Sequence, residues 1–354
     1  MQKKGVTDVH FNWIFILIAG AVIFMFFITI VNKQRAFSEV KVAQSLVVSL
    51  DAILTGAEVS TRTVNIIKDL PKADIGFECN NYFVGGIPRD TGGSVIFAPS
   101  VLKGRRIIAW AVDWKMPFKV ANFLYLTHPE VRYIIVNDTS SSANLAQKLF
   151  DELPKELNKE IVAKDKIGDI IDKNNYKVKF IFFNDNIQPP GVPKLKDMPF
   201  KDVTAISLPA SGIIASSGEL SFWEKNKVGA FEWIDKGDSF YIEKESLYGA
   251  IFAENKDTYD CVMRKAFDKL SYVSRVYRSR SSELGTFYRA YPPKQYCANY
   301  HVTTEFDNTL VPLSTQLAQS FPTTMPEITS LKEAADNIEQ QNQKASLKTC
   351  ALVY

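Results

Sequence analysis

Three aspartates stand at or just past the ends of runs that read as buried β-strands. Asp113 lies near the end of residues 106–114 (RIIAWAVDW), Asp138 follows 132–137 (RYIIVN) and Asp185 follows 177–183 (KVKFIFF). Parallel α/β sheets bind ligands at the carboxyl ends of their strands. Carboxylates converging at such an edge could hold a divalent cation or exchange a proton with a substrate, which makes Asp113 and Asp185 candidate ligand residues. Aspartate also follows strands for a plainer reason, because it forms turns and caps the next helix.

The middle aspartate opens the stretch Asp138-Thr139-Ser140-Ser141-Ser142. Its D-x-S-x-S pattern offers one carboxylate and two hydroxyls, hard oxygen ligands suited to Mg²⁺. Asp138, Ser140 and Ser142 are therefore the candidate metal ligands, and Mg²⁺ the candidate cofactor. The pattern resembles the metal-ion adhesion site of von Willebrand A-type domains. The resemblance implies a further aspartate and a threonine from other loops; Asp185 could serve as the first, although it lies nearer in sequence than that family's pattern has it, and no threonine can be assigned. A serine-rich helix N-cap accounts for the same residues without metal.

Other chemistries find little support. The sequence contains no G-x-x-x-x-G-K-[ST], no G-x-S-x-G and no H-E-x-x-H, so a P-loop nucleotidase, a serine hydrolase elbow and a zincin are not indicated. His128 and His301 have no histidine or cysteine at ligand spacing. Arg275, Arg278 and Arg280 cluster late in a helical stretch, where the helix dipole favours cations. With 42 basic against 39 acidic residues the net charge is +3, which argues against a dedicated nucleic-acid binder. The expectation is a protein that is not an enzyme.

The elements that must position these residues begin with an anchor. Residues 11–31 carry no charge, and 21 helical residues span about 30 Å, the hydrocarbon thickness of a bilayer. The organisation read from the sequence is a short basic segment at 1–10, a transmembrane helix at 11–31, a helical stalk at 32–70, a Rossmann-like α/β domain at 73–187, and antiparallel strands with a C-terminal helical region at 200–354 packed on it. The expected fold is the helix plus an α/β domain, with a mainly parallel three-layer sheet, an added antiparallel region and C-terminal helices. Within the stalk, Val40, Ala43, Val47, Leu50 and Leu54 form a heptad seam. It would either pack on its own domain or self-associate through residues 36–54.

Farther along, residues 118–127 and a charged stretch through 171 are read as helical, and 142–153 as an amphipathic helix. The Pro-rich stretch 188–199 is read as a linker or long loop. Short strands are expected at 203–208, 218–224, 230–234 and 240–242, with Lys236-Gly237-Asp238 as a hairpin turn. Tyr259, Val262, Ala266, Leu270, Val273 and Tyr277 share one helical face, and a polar helix is expected at 327–345.

Cys79, Cys261, Cys297 and Cys350 are scattered, with no C-x-x-C. This fits two disulfides in an oxidising space, with three connectivities open. Lys3 and Lys4 before the apolar run nearly balance Lys33, Arg35 and Lys41 after it, with a slight lean to a cytoplasmic C-terminal side. The cysteines, and the sequon Asn137-Asp138-Thr139, lean the other way, so the large domain is expected outside the cytoplasm.

Lys3-Lys4-Gly5, four residues with one acid, then the long apolar run resemble the start of archaeal type IV pilin-like precursors. The resemblance implies cleavage between Gly5 and Val6. That family carries glutamate at the fifth mature position, where this sequence has His10; the nearest acid is Asp8. The remainder, from FNWIF to CALVY, resembles membrane-anchored archaeal proteins for which no activity is established. The functional expectation is a single-pass surface or envelope protein, a non-catalytic scaffold, adhesion or pilus-like assembly component with the lipid bilayer and a protein as partners. The alternative is a membrane-tethered enzyme or small-ligand or metal receptor using the strand-end aspartates.

Overall fold

The computed structural model describes residues 6–59, 64–67, 74–103, 106–137, 140–173, 175, 177–183, 188–209 and 216–354. Helix α1, Val6–Val59, is continuous over 54 residues. Its segment Phe15–Gln34 has a mean hydropathy of 2.6 and none of it is buried. That segment is long and apolar enough to cross a membrane. The helix then enters the folded body, where Leu46, Val47, Leu50 and Leu54 are buried.

Eight strands follow: β1 (Val64–Ile67), β2 (Ile75–Phe77), β3 (Asn81–Val84), β4 (Ile87–Asp90), β5 (Val95–Phe97), β6 (Val101–Leu102), β7 (Ile107–Lys115) and β8 (Lys119–Thr127). They form two four-stranded sheets in the orders β1-β7-β8-β5 and β4-β3-β2-β6. The α1 leucines, Ile75, Tyr82 and Val84 share one core with Ile107, Ala109, Ala111, Leu124 and Leu126. The alternate residues Ile108, Trp110, Val112, Trp114, Phe123 and Tyr125 enter the main core on the other side. Residues 118–127, expected as helix, are thus mostly strand. Buried on both faces, β8 shows an apolar run whose period does not separate strand from helix. Val47, Leu50 and Leu54 of the heptad seam pack on the chain's own domain, while the side chains of Val40 and Ala43 lie outside those described.

Next come β9 (Val131–Asn137), α2 (Ser140–Glu152), β10 (Asn158–Ala163), a 3₁₀ turn at Lys164–Asp169, β11 (Lys177–Phe183), 3₁₀ turns at Pro193–Leu195 and Phe200–Asp202, β12 (Val203–Leu208), β13 (Ser217–Lys225) and β14 (Trp233–Ile242). They build one six-stranded sheet, β10-β9-β11-β12-β13-β14. Its first four strands are parallel, and β13 and β14 add in antiparallel fashion. The sheet is therefore mixed, and it continues across the Pro-rich stretch 188–199. The charged stretch read as helix through 171 is instead β10 and a 3₁₀ turn. Lys236-Gly237-Asp238 lies inside β14 instead of ending a strand: the pairing slips between Ser221 and Trp223, and Gly237 takes the bulge at φ +91°, a conformation glycine adopts without penalty.

The chain ends in α3 (Glu243–Phe252), α4 (Lys256–Arg289), a 3₁₀ segment at Pro292–Tyr300, a π turn at Phe306–Leu310, α5 (Val311–Ser320) and α6 (Met325–Leu347). Tyr259, Val262, Ala266 and Leu270 of α4 join Tyr133, Ile135, Ile181, Ile206 and Phe222 of the six-stranded sheet in the main core, as do Leu145, Leu149 and Leu153 of α2. The other face of that sheet, with Ile134, Val136, Phe180, Phe182 and Trp223, is covered by Ile167, Ile170, Val192, Leu195 and Met198. Among the described residues that cover is turns and loop, where a three-layer sheet would carry helices.

Two disulfides select one of the three connectivities. Cys79 pairs with Cys261 of α4, and Cys297 pairs with Cys350, with Cα–Cα distances of 5.8 and 5.7 Å.

Candidate functional site

Register aligns the ends of three parallel strands. Ile135 of β9 lies beside Ile181 of β11, and Phe183 of β11 beside Leu208 of β12. The chain therefore leaves β9, β11 and β12 at one edge, into residues 138–139, 184–187 and 210–215, and α2 starts there at Ser140. This is the strand-end frame in which α/β sheets hold ligands. Asp138 and Asp185 lie outside the described residues, as do the side chains of Ser140 and Ser142; the backbones of those serines form the first turn of α2.

Asp113 belongs to β7, in a different sheet, with an ion pair to Lys119 at 2.7 Å. β14 runs in the same direction as β12 across the intervening antiparallel β13, so it ends at the same edge. There Trp114 Nε1 donates to the Ile242 carbonyl at 3.3 Å, joining the end of β7 to the end of β14. Beside this junction lies a cleft of about 260 Å³ lined by Asp113, Lys115, Glu243, Glu245, Lys332, Asp336 and Glu339 among others.

Glu243 stands where β14 becomes α3. Its φ of +62° is costly for a residue with a Cβ, by about 1–2 kcal/mol. Its N–H donates to the Ser216 carbonyl at 2.6 Å, which holds that conformation. Lys332 Nζ lies 3.0 Å from Glu243 and also binds Asp336. Burial works against the Lys332 ammonium, but its hydrogen bonds to Asp336 and Glu243 outweigh that and hold its pKa above the ordinary lysine value. The cleft thus carries five carboxylates, partly neutralised by its lysines, and favours a cationic group. Among the described residues, no three His, Cys, Asp or Glu side chains are grouped to hold a metal ion.

Of the sequence candidates, the fold brings Asp113 to the side of the molecule where the strands preceding Asp138 and Asp185 end. The residues that surround Asp113 were missed. Their one sequence signal is on α6, where Lys332, Asp336 and Glu339 recur at helical spacing. His128 Nδ1 accepts from the Glu130 N–H at 3.1 Å; His301 stacks on Tyr288 with ring centroids 5.4 Å apart, and both its buried ring nitrogens lack a hydrogen-bond partner among the described residues. Burial lowers the pKa of both histidines. The arginine cluster ties α4 to its neighbours, Arg278 to Asp307, Arg280 to the Leu352 carbonyl and Arg275 to Thr315. Compared with known proteins, the chain matches no family model, no curated protein and no solved structure at a significant level.

Proposed function

We propose that this chain is a single-pass, membrane-anchored surface protein whose folded domain lies outside the cytoplasm and acts as a non-catalytic scaffold or assembly component. The observation that carries the reading is the continuity of α1. One helix holds both the exposed apolar segment Phe15–Gln34 and the core residues Leu46, Leu50 and Leu54. Between them lie about 11 helical residues, a rise of about 16 Å. An anchor built into the core holds a domain at a set distance and angle from a bilayer, which suits a scaffold better than a loosely tethered enzyme. The two disulfides support an oxidising compartment. The pilin-like start, with processing between Gly5 and Val6, supports a role in assembly at an archaeal cell surface. Self-association through residues 36–54 would use the outward side of α1, where Val48 is exposed.

A second reading has its own observation. The cleft beside Asp113, with Glu243 held in a strained conformation, fits a receptor for a small cationic ligand.

Labelling of intact cells with a membrane-impermeant amine reagent tests the first reading. Lys344 and Lys348 are exposed on the folded domain and are expected to label in intact cells as fully as after lysis. Labelling only after lysis would place the domain in the cytoplasm and end the surface reading.

A further inference from the structure

At the opposite edge of the six-stranded sheet lies a second cleft with two joined lobes, of about 150 and about 360 Å³. Lys201, Glu224, Lys236 and Asn255 line both lobes. The outer lobe gathers four lysines from four separate places in the fold: Lys201 in the turn before β12, Lys227 between β13 and β14, Lys236 in β14 and Lys256 in the first turn of α4. Against them stand two carboxylates, Glu224 and Asp257.

The lysines divide by partner. Lys236 lies 3.1 Å from Glu224, and Lys256 lies 2.6 Å from the buried Asp260. Lys201 and Lys227 have no carboxylate within ion-pair distance among the described residues. Their ammonium groups instead approach the same Phe200 ring, at 5.8 and 5.1 Å from its centroid. A ring face attracts cations only weakly at an exposed site, and two like charges at one ring repel each other. An anion carrying two or more charges between them would relieve that repulsion. The 34-residue α4 begins at this lobe with Asn255 as its N-cap, and the positive end of its dipole acts in the same sense. The inner lobe adds Phe222 and Trp223, and also Glu254, whose charge is paired with Lys177 at 2.7 Å.

We propose that this cleft binds a multiply charged oxyanion, either free phosphate or sulfate or the phosphate monoester of a small molecule, with Lys201 and Lys227 as its principal ligands. The proposal is independent of the scaffold reading, since it holds on either side of a membrane.

Isothermal titration of the full chain in a non-ionic detergent, with pyrophosphate, sulfate and a sugar phosphate at constant ionic strength, tests it. Saturable one-site binding is expected. The double variant K201Q/K227Q is expected to weaken it at least tenfold, while Lys244→Gln, in the first turn of α3 at the other edge, leaves it unchanged. Both substituted lysines are exposed, and circular dichroism checks that the fold persists. A sugar phosphate that binds tenfold tighter than the inorganic anions assigns an ester as the occupant; equal affinity assigns the free anion. No saturable heat beyond that of sodium chloride, or equal affinity in K201Q/K227Q, overturns the proposal.

Discussion

Tyr82, fully buried on β3, donates its hydroxyl hydrogen to Asp51 Oδ1 of α1 at 2.5 Å. Burial, and then the Asp51 carboxylate, push the phenol's pKa well up, so it stays a donor throughout the physiological range. The bond latches the anchor helix to the sheet. Tyr82→Phe is expected to cost about 1 kcal/mol, because the freed carboxylate is exposed and regains water. Chemical denaturation of the two proteins in one detergent reads this as a lower midpoint with an unchanged slope; equal midpoints would mean that the latch adds nothing.

The packing of α1 gives a sharper contrast. Leu50 is 1% exposed and Val48 69% exposed, two positions apart on one helix. Leu50→Ala is expected to destabilise the domain by about 2–5 kcal/mol, the usual range for a core leucine. Val48→Ala is expected to fall within about 0.5 kcal/mol of the parent. Comparable midpoints for the two variants would contradict the placement of α1 in the core.

Both disulfides close long loops, 182 residues for Cys79–Cys261 and 53 for Cys297–Cys350. Chain entropy assigns them about 5 and about 4 kcal/mol respectively. The pair Cys79→Ala/Cys261→Ala, which frees α4 from the region of β2 and β3, is expected to lower the thermal midpoint more than Cys297→Ala/Cys350→Ala. The reverse order in a thermal melt would show that strain or residual structure outweighs loop length here.

Lys179 is buried on β11 and donates to the Ala250 and Ala253 carbonyls at the end of α3. Burial lowers its pKa to about 7, against about 10.4 in an unfolded chain. Between those values the unfolded state binds the proton and the folded state does not. Stability from this residue is therefore fully present above about pH 10.4 and is lost as pH falls toward 7. The slope is at most about 1.4 kcal/mol per pH unit. Lys179→Met is expected to flatten the rise in denaturation midpoint between pH 7.5 and 9.5; an unchanged rise would assign it to other groups.

The elements most readable in the sequence were those with one exposed side. The face of α4 from Tyr259 to Leu270 carries its period plainly, the anchor shows as an uninterrupted apolar run, and four scattered cysteines implied two disulfides though not their pairing. The cores of β7, β9 and β11 were legible as apolar runs. β8 reads as helix, because the period of an apolar run buried on both faces does not separate strand from helix. β10 was hidden by its charged edge position, and β14 by the glycine that bulges within it. At the strand ends, position could be anticipated but company could not. Asp113 shares a cleft with Glu243 and Lys332, beside the point where Trp114 reaches the Ile242 carbonyl. The four lysines of the second cleft, spread from 201 to 256, share no local pattern at all.

Peptide mapping of the full chain isolated from its native membrane, with thiols blocked at lysis and no reductant added, tests the anchored extracytoplasmic domain most directly. The expected map links the Cys79 peptide to that of Cys261 and the Cys297 peptide to that of Cys350, leaves no blocked thiol, and begins at Val6. Four blocked thiols on a chain that retains Met1 would contradict the surface placement and return the domain to the cytoplasm.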